Sequence, residues 1–141
     1  MKLITTDRRN WEDTAKLLLR VALGLLILLH GISKLPTGPT AVMGAVTRFG
    51  LPSEFAYLVY VGEVLAPLLL IAGFLTRAAA LVVAVNMAFA VALVHLPQFF
   101  TLTKMGGWAL ELQGMYFCTA LAVALLGAGR FSVGGASGRW N

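Results

Sequence analysis

Charge is scarce in this chain. Only 12% of its 141 residues are Asp, Glu, Lys or Arg, against about a quarter in a typical soluble domain. With 59% hydrophobic residues and a mean hydropathy of +0.84, it cannot cover a soluble core with polar surface. A membrane protein is the class that fits. Cysteine is nearly absent. Cys118 stands alone, which excludes an internal disulfide framework or a C-x-x-C dithiol. Any redox role must use a cofactor, a substrate or a partner protein. Two histidines and one cysteine argue against a structural zinc site, and no metal ligand set is expected. The net charge of +5 would suggest nucleic acid in a soluble protein. Here the basic residues sit mostly in short connections, so membrane orientation explains them and no nucleic-acid partner is expected. Proline is sparse too, and every proline but Pro67 falls between apolar segments.

Those segments run over 15–35, 54–75, 78–95 and 108–127. Each is close to the roughly 20 residues that a helix needs to cross a bilayer. Lipid offers the backbone no hydrogen-bond partner, so each is expected to be helical. LPTGP, LPS, HLPQ and GG punctuate them, and 76–77 joins the second to the third as a tight hairpin. The long connection 36–53 is expected to carry a short interfacial helix. Arg20 interrupts the first apolar run and no A-x-A-like site follows it, so it reads as a retained helix and not a cleaved leader. With the N-terminus inside, eight Lys and Arg (Lys2, Arg8, Arg9, Lys16, Arg20, Arg77, Arg130, Arg139) face three outside (Lys34, Arg48, Lys104). The expectation is an all-α, antiparallel four-helix membrane bundle with both termini inside.

Polar groups then gather in the outer half. His30 lies roughly 7 Å deep and Lys34 follows at i+4 on the same face. Glu63 lies roughly 13 Å below Glu54, near the midplane. Pro67 removes the N–H that would bond the carbonyl of residue 63, so a carboxyl and a free carbonyl share one level. His95 closes the third segment on the outer side and Glu111 opens the fourth. Ala80, Ala84, Ala88 and Ala92 form a small-residue stripe that His95 continues, while Asn86 falls half a turn from it. Each group also has a plain structural account. Glu63 can be a hydrogen-bond lock to a neighbouring helix, for instance to His30. Lys34 can snorkel, His95 can cap, Glu111 can sit favourably at a helix N-terminus, and Cys118 can simply pack. Arg20, Arg77 and Arg130 read as anchors at inner helix ends.

LLLRVALGLLILLHGISKL, YVGEVLAPLLLIAGFLTRAAAL, GGWALE and LLGAGRFS together resemble the DoxX family of small four-helix bacterial membrane proteins. The R-x3-G-x5-HG-x2-KL and GE…GFLTR patterns carry the resemblance. Where many relatives have an aspartate after the G-x-GR-x-S turn, this chain has Val133-Gly134-Gly135. The resemblance implies a bacterial inner-membrane location and a link to membrane redox systems, as in thiosulfate:quinone oxidoreductase, without a transferable catalytic motif.

Combined with the polar cluster, this leads to a first expectation: a quinone-interacting or accessory subunit of a membrane redox system, not a complete enzyme. Glu63 and His30 would be its catalytic pair. His30, Lys34, Glu63, His95 and Glu111 would line the site of a quinone cofactor. The alternatives are a membrane scaffold or maturation partner for a soluble oxidoreductase or metal-handling enzyme, and a small oligomeric transporter. In the metal variant, His30, His95 and Glu111 would be the ligands. A homo-oligomer or a partner redox protein is expected alongside the lipid bilayer.

Overall fold

The computed structural model describes residues 2–135 and 137–141, with residues 2–8 as backbone. The side chains of Lys2 and Arg8, counted in the charge asymmetry, lie outside the described residues. The fold is all-α. Its elements are α1 (Lys2–Ser33), α2 (Thr40–Arg48), α3 (Ser53–Ala72), α4 (Thr76–Gln98) and α5 (Glu111–Leu126).

Helix α1 starts well before residue 15. The chain has no glycine or proline ahead of Gly24, so nothing stops the helix from running back through the polar segment. Past the bundle this extension is held by Arg130, whose guanidinium donates to Asn10 Oδ1 at 2.9 Å and whose N–H donates to Asp13 Oδ1 at 3.3 Å. The interfacial helix expected in 36–53 is α2. Its buried Ala45 and Val46 pack it on the first turns of α3 and the last turns of α4.

The four long helices pack in a ring, α1 on α3, α3 on α4, α4 on α5 and α5 on α1. Leu23, Ile27, Leu70, Ala80, Val83 and Val123 fill the centre. Helices α1 and α3 are antiparallel: Arg20 meets the end of α3, while Lys34, further along α1, meets Glu63 midway along α3. The outside stays apolar, as at Leu25, Leu29, Leu68, Phe89 and Leu125. Three stretches, Arg9–Ser33, Ser53–Ala72 and Thr76–Gln98, are long and apolar enough to cross a membrane, so this is a multi-pass membrane protein. Helix α5, with 16 residues, is shorter.

Arg20 is more than an anchor. It is 1% exposed, and its guanidinium donates to the Leu70 and Ile71 carbonyls at 2.7 Å and to the Phe131 carbonyl. Those carbonyls sit where α3 stops at Gly73, so one side chain ties α1 to the end of α3 and to the chain after α5. Gly73 has φ 72° and receives Arg20 and Ser132 so closely that a Cβ would lie 2.5 Å from Ser132 Cβ. The Phe74 N–H closes the end of the helix on Leu69 O at 3.0 Å. Arg77 does a similar job for α4, donating to Ala124 O and to the Asn141 main-chain oxygen, each at 3.1 Å.

The seam between α1 and α3 is close enough for backbone contact. A Cβ on Gly24 would sit 3.0 Å from Pro67 O, and one on Gly31 would sit 2.2 Å from Glu63 O. Gly31→Ala must therefore push the helices apart. We expect it to cost about 1–3 kcal/mol, seen as a lowered Tm in detergent. Gly44→Ala, in α2 with open space around it, should keep or slightly raise Tm, because alanine favours the helix. Equal melts for wild type and Gly31→Ala would refute the close seam.

Candidate functional site: a side cleft with a polar end

Local irregularity builds the site. Pro67 cannot give an N–H to the Glu63 carbonyl. Directly before it, Val61–Leu65 form a wide π-helical turn, with the Ala66 N–H bonding Val61 O. The Glu63 carbonyl instead packs against Gly31 of α1. A second π turn, Val91–His95, lies in α4. Single π turns shift the register of everything around them and occur often at functional sites. Here one carries Glu63 and the other carries His95.

Glu63 is 6% exposed and pairs with Lys34. The lock expected with His30 is therefore made with Lys34 instead. The reason is reach: the close passage at Gly31 brings the next turn of α1, with Lys34, over the Glu63 side chain. The Lys34 side chain keeps 28% exposure, while that of Glu63 keeps 8%. Tyr60 OH steadies the same turn by donating to Lys34 O at 3.0 Å.

A cavity of about 600 Å³ runs between α1, α3, α4 and α5 under α2. His30, Lys34, Glu63 and His95 all line it, so four of the five candidate residues converge. Much of its wall is apolar, and Phe55, Leu58, Val85 and Phe89 on that wall are each more than half exposed on the outside of the bundle. The cavity is thus a cleft open sideways at the apolar surface, with Lys34, Glu63 and Asn86 close together on its wall and His95 further along α4. His30 Nδ1 bonds Leu26 O at 2.9 Å, and its ring meets the Tyr116 ring edge-on at 6.0 Å. His95 Nδ1 bonds Gln98 Oε1 at 3.2 Å.

Glu111 does not join them. Its carboxylate accepts the Trp108 N–H at 3.0 Å, at the start of α5, where negative charge suits the helix dipole. Among the described residues no group of three or more His, Cys, Asp or Glu could hold a metal ion, so the set His30, His95 and Glu111 does not assemble as a metal centre. Cys118 is exposed on the outer surface of α5 and takes no part in the cleft.

The residue that the sequence pattern placed elsewhere is Asn86. It lines the cleft, and its side chain fills the space that a Cβ on Gly62 would need, at 2.5 Å from Asn86 Cγ. Its Nδ2 is buried without a partner. The Ala80 and Ala84 stripe does face the core, but Ala88 and Ala92 are exposed. A helix in a ring has two neighbours, so a residue half a turn from one interface belongs to the other. The lone amide in an apolar helix was the available signal. His95, expected to face the bundle, lines the cleft from the end of the π turn that follows Ala90.

Removing one partner of a buried pair strands the other charge. Lys34→Met leaves the nearly buried Glu63 alone and should cost about 3 kcal/mol. Glu63→Gln leaves Lys34 free to turn toward the interface and should cost about 1 kcal/mol. The double variant should recover most of the Lys34→Met loss. Thermal or denaturant unfolding of the four proteins measures this, and additive losses would mean that the two residues are uncoupled.

The model of the DoxX family matches residues 15–96, more than half of the chain. No curated relative and no solved structure matches it. The chain belongs to the DoxX family.

Proposed function

We propose that this DoxX-family membrane protein binds a quinone in its side cleft and serves as a quinone-interacting or accessory subunit of a membrane redox system. The observation that supports this is the cleft itself: about 600 Å³, walled largely by apolar side chains, open toward the apolar outside, and lined also by His30, Lys34, Glu63, Asn86 and His95. A lipid-soluble ring with polar substituents and an apolar tail has that shape and polarity. The tail can leave through the side opening, between residues such as Val85 and Phe89, without crossing water. Glu63 and Lys34 would hold opposite charges next to the ring, and His30 and His95 would exchange hydrogen bonds with its oxygens. Lys34 supplies the positive end and Glu63 the negative end of one fixed dipole. The chain lacks a dithiol, so electrons would come from a partner redox protein or another subunit.

In this reading all four long helices cross the bacterial inner membrane, with both ends of the chain on the cytoplasmic side. Helix α5 spans about 24 Å, and the flanking residues 108–110 and 127–130 complete its crossing. The exposed apolar outside accepts lipid and a second copy of the chain. One observation favours the scaffold alternative: α1 extends through a polar segment past the membrane stretch and is tied to Arg130, with Trp11 70% exposed on it. That extension would serve to hold a soluble oxidoreductase or maturation enzyme.

Full-length protein purified in native-lipid nanodiscs tests the quinone reading. Organic extraction and mass spectrometry should recover an isoprenoid quinone near one per chain. Ala90→Trp, which fills the cleft, should lower that recovery at least tenfold while Tm holds. Phospholipid alone in both samples would overturn the proposal.

A further inference from the structure

The side cleft does not stop at its own walls. A second, smaller hollow of about 100 Å³ lies in the seam between α3 and α4, and every residue on its wall is Val, Leu or Ala. It meets the cleft at Val61 and Val82, which wall both. The π turn Val61–Leu65 forms the junction. Its Gly62 and Glu63 are buried and line the cleft, while its exposed Val61 and Leu65 wall the hollow. From there the hollow follows α3 past Ala66 to Leu69, roughly 12 Å along the helix axis from Val61. Ala78 and Ala79 face it from α4, and their small side chains leave the room that it occupies. Leu75 bounds it at the hairpin. Glu63, with Lys34 on its carboxylate and Asn86 against the neighbouring Gly62, stands at the level where the hollow begins. The hollow then leads away from these polar groups, toward the end of α3 where Arg20 donates to the Leu70 and Ile71 carbonyls.

A compact polar ligand would use the cleft alone. A bilayer acyl chain would match the hollow but not the polar wall that the hollow opens onto. One molecule with a polar ring and a long apolar tail fits both, with the ring beside Glu63 and the tail along the seam. Resting on the quinone reading above, we infer that the α3–α4 hollow is the tail subsite of the cleft. The ligand then carries an isoprenoid tail at least as long as the run from Val61 to Leu69, about 12 Å. Lipid is as apolar as such a tail, so transfer out of water contributes little there. What holds the tail is close packing on Leu65, Leu69 and Ala78, many small dispersion contacts along one seam. Tail length and the bulk at residue 78 are thus specificity determinants that the ring contacts do not supply.

The test uses the full chain in nanodiscs freed of native quinone. The probe is a benzoquinone whose isoprenoid tail is longer than the hollow and carries a photoreactive diazirine at its end. Labelling on illumination, mapped by mass spectrometry, should saturate with probe and fall mainly on residues 65–82. An excess of the same ring with a single isoprene unit should remove most of that labelling, because ring and tail belong to one bound molecule. Ala78→Phe, which fills the hollow, should cut labelling of 65–82 by about threefold or more and leave binding of the single-unit ring within about twofold. Circular dichroism of the same samples checks that the variant is folded. Saturable, ring-competed labelling on α1 or α5 in place of 65–82, or labelling of 65–82 unchanged in Ala78→Phe, overturns the inference while the cleft stands as a quinone site. Labelling that the single-unit ring does not reduce, wherever it falls, overturns both.

Discussion

A carboxylate can sit inside this apolar bundle only because α1 and α3 touch backbone to backbone. Gly31 has no Cβ, so the carbonyl that Pro67 leaves without its helical partner can pack directly against α1. That approach sets the height at which Lys34 meets Glu63. The pair in turn fixes the polar end of the cleft. If either glycine-sized gap in the seam closed, the ion pair would lose its register and Glu63 would be an unpaired charge near the middle of a membrane segment. Such a charge is among the costliest features a membrane helix can carry.

The two ends of the bundle are built from different materials. At one end, Arg20 and Arg77 act as branched hydrogen-bond donors to main-chain carbonyls where helices stop. Helix ends leave carbonyls unpaired, and a planar guanidinium can satisfy several at once. This end is cross-tied by those hydrogen bonds. At the other end, π turns interrupt α3 and α4, α2 lies across the mouth, and a cavity remains. One end ties the helices together, and the other leaves room between them. That division leaves the cavity at one end and the cross-tied helix ends at the other.

Much of the fold was legible in the sequence, since lipid demands helices and proline and glycine mark where they end. The interfacial helix α2, the hairpin between α3 and α4 and the family resemblance all followed from local residues. Two kinds of feature did not. Arg20 looked like an inner-end anchor because charge patterning says where a residue lies along the membrane normal, not what it touches. Asn86 was set apart from the site because only one buried side of its helix was considered. A ring of helices gives each helix two buried sides, and Asn86 lies on the second. The long start of α1 was also missed, because apolar length marks the membrane stretch and says little about where a polar helix begins. For Glu63 the residue was conspicuous, but its partner could be read only once the Gly31 contact placed Lys34 above it.

A high-resolution map of the full chain in native-lipid nanodiscs tests the central claim most directly, read at the α1–α3 seam and in the cleft beside it. The account predicts Gly31 against the Glu63 carbonyl, Lys34 on the Glu63 carboxylate, and a ring-headed density with its tail leaving between α3 and α4. A seam opened at Gly31, with Glu63 turned to another partner and the cleft collapsed, would contradict it.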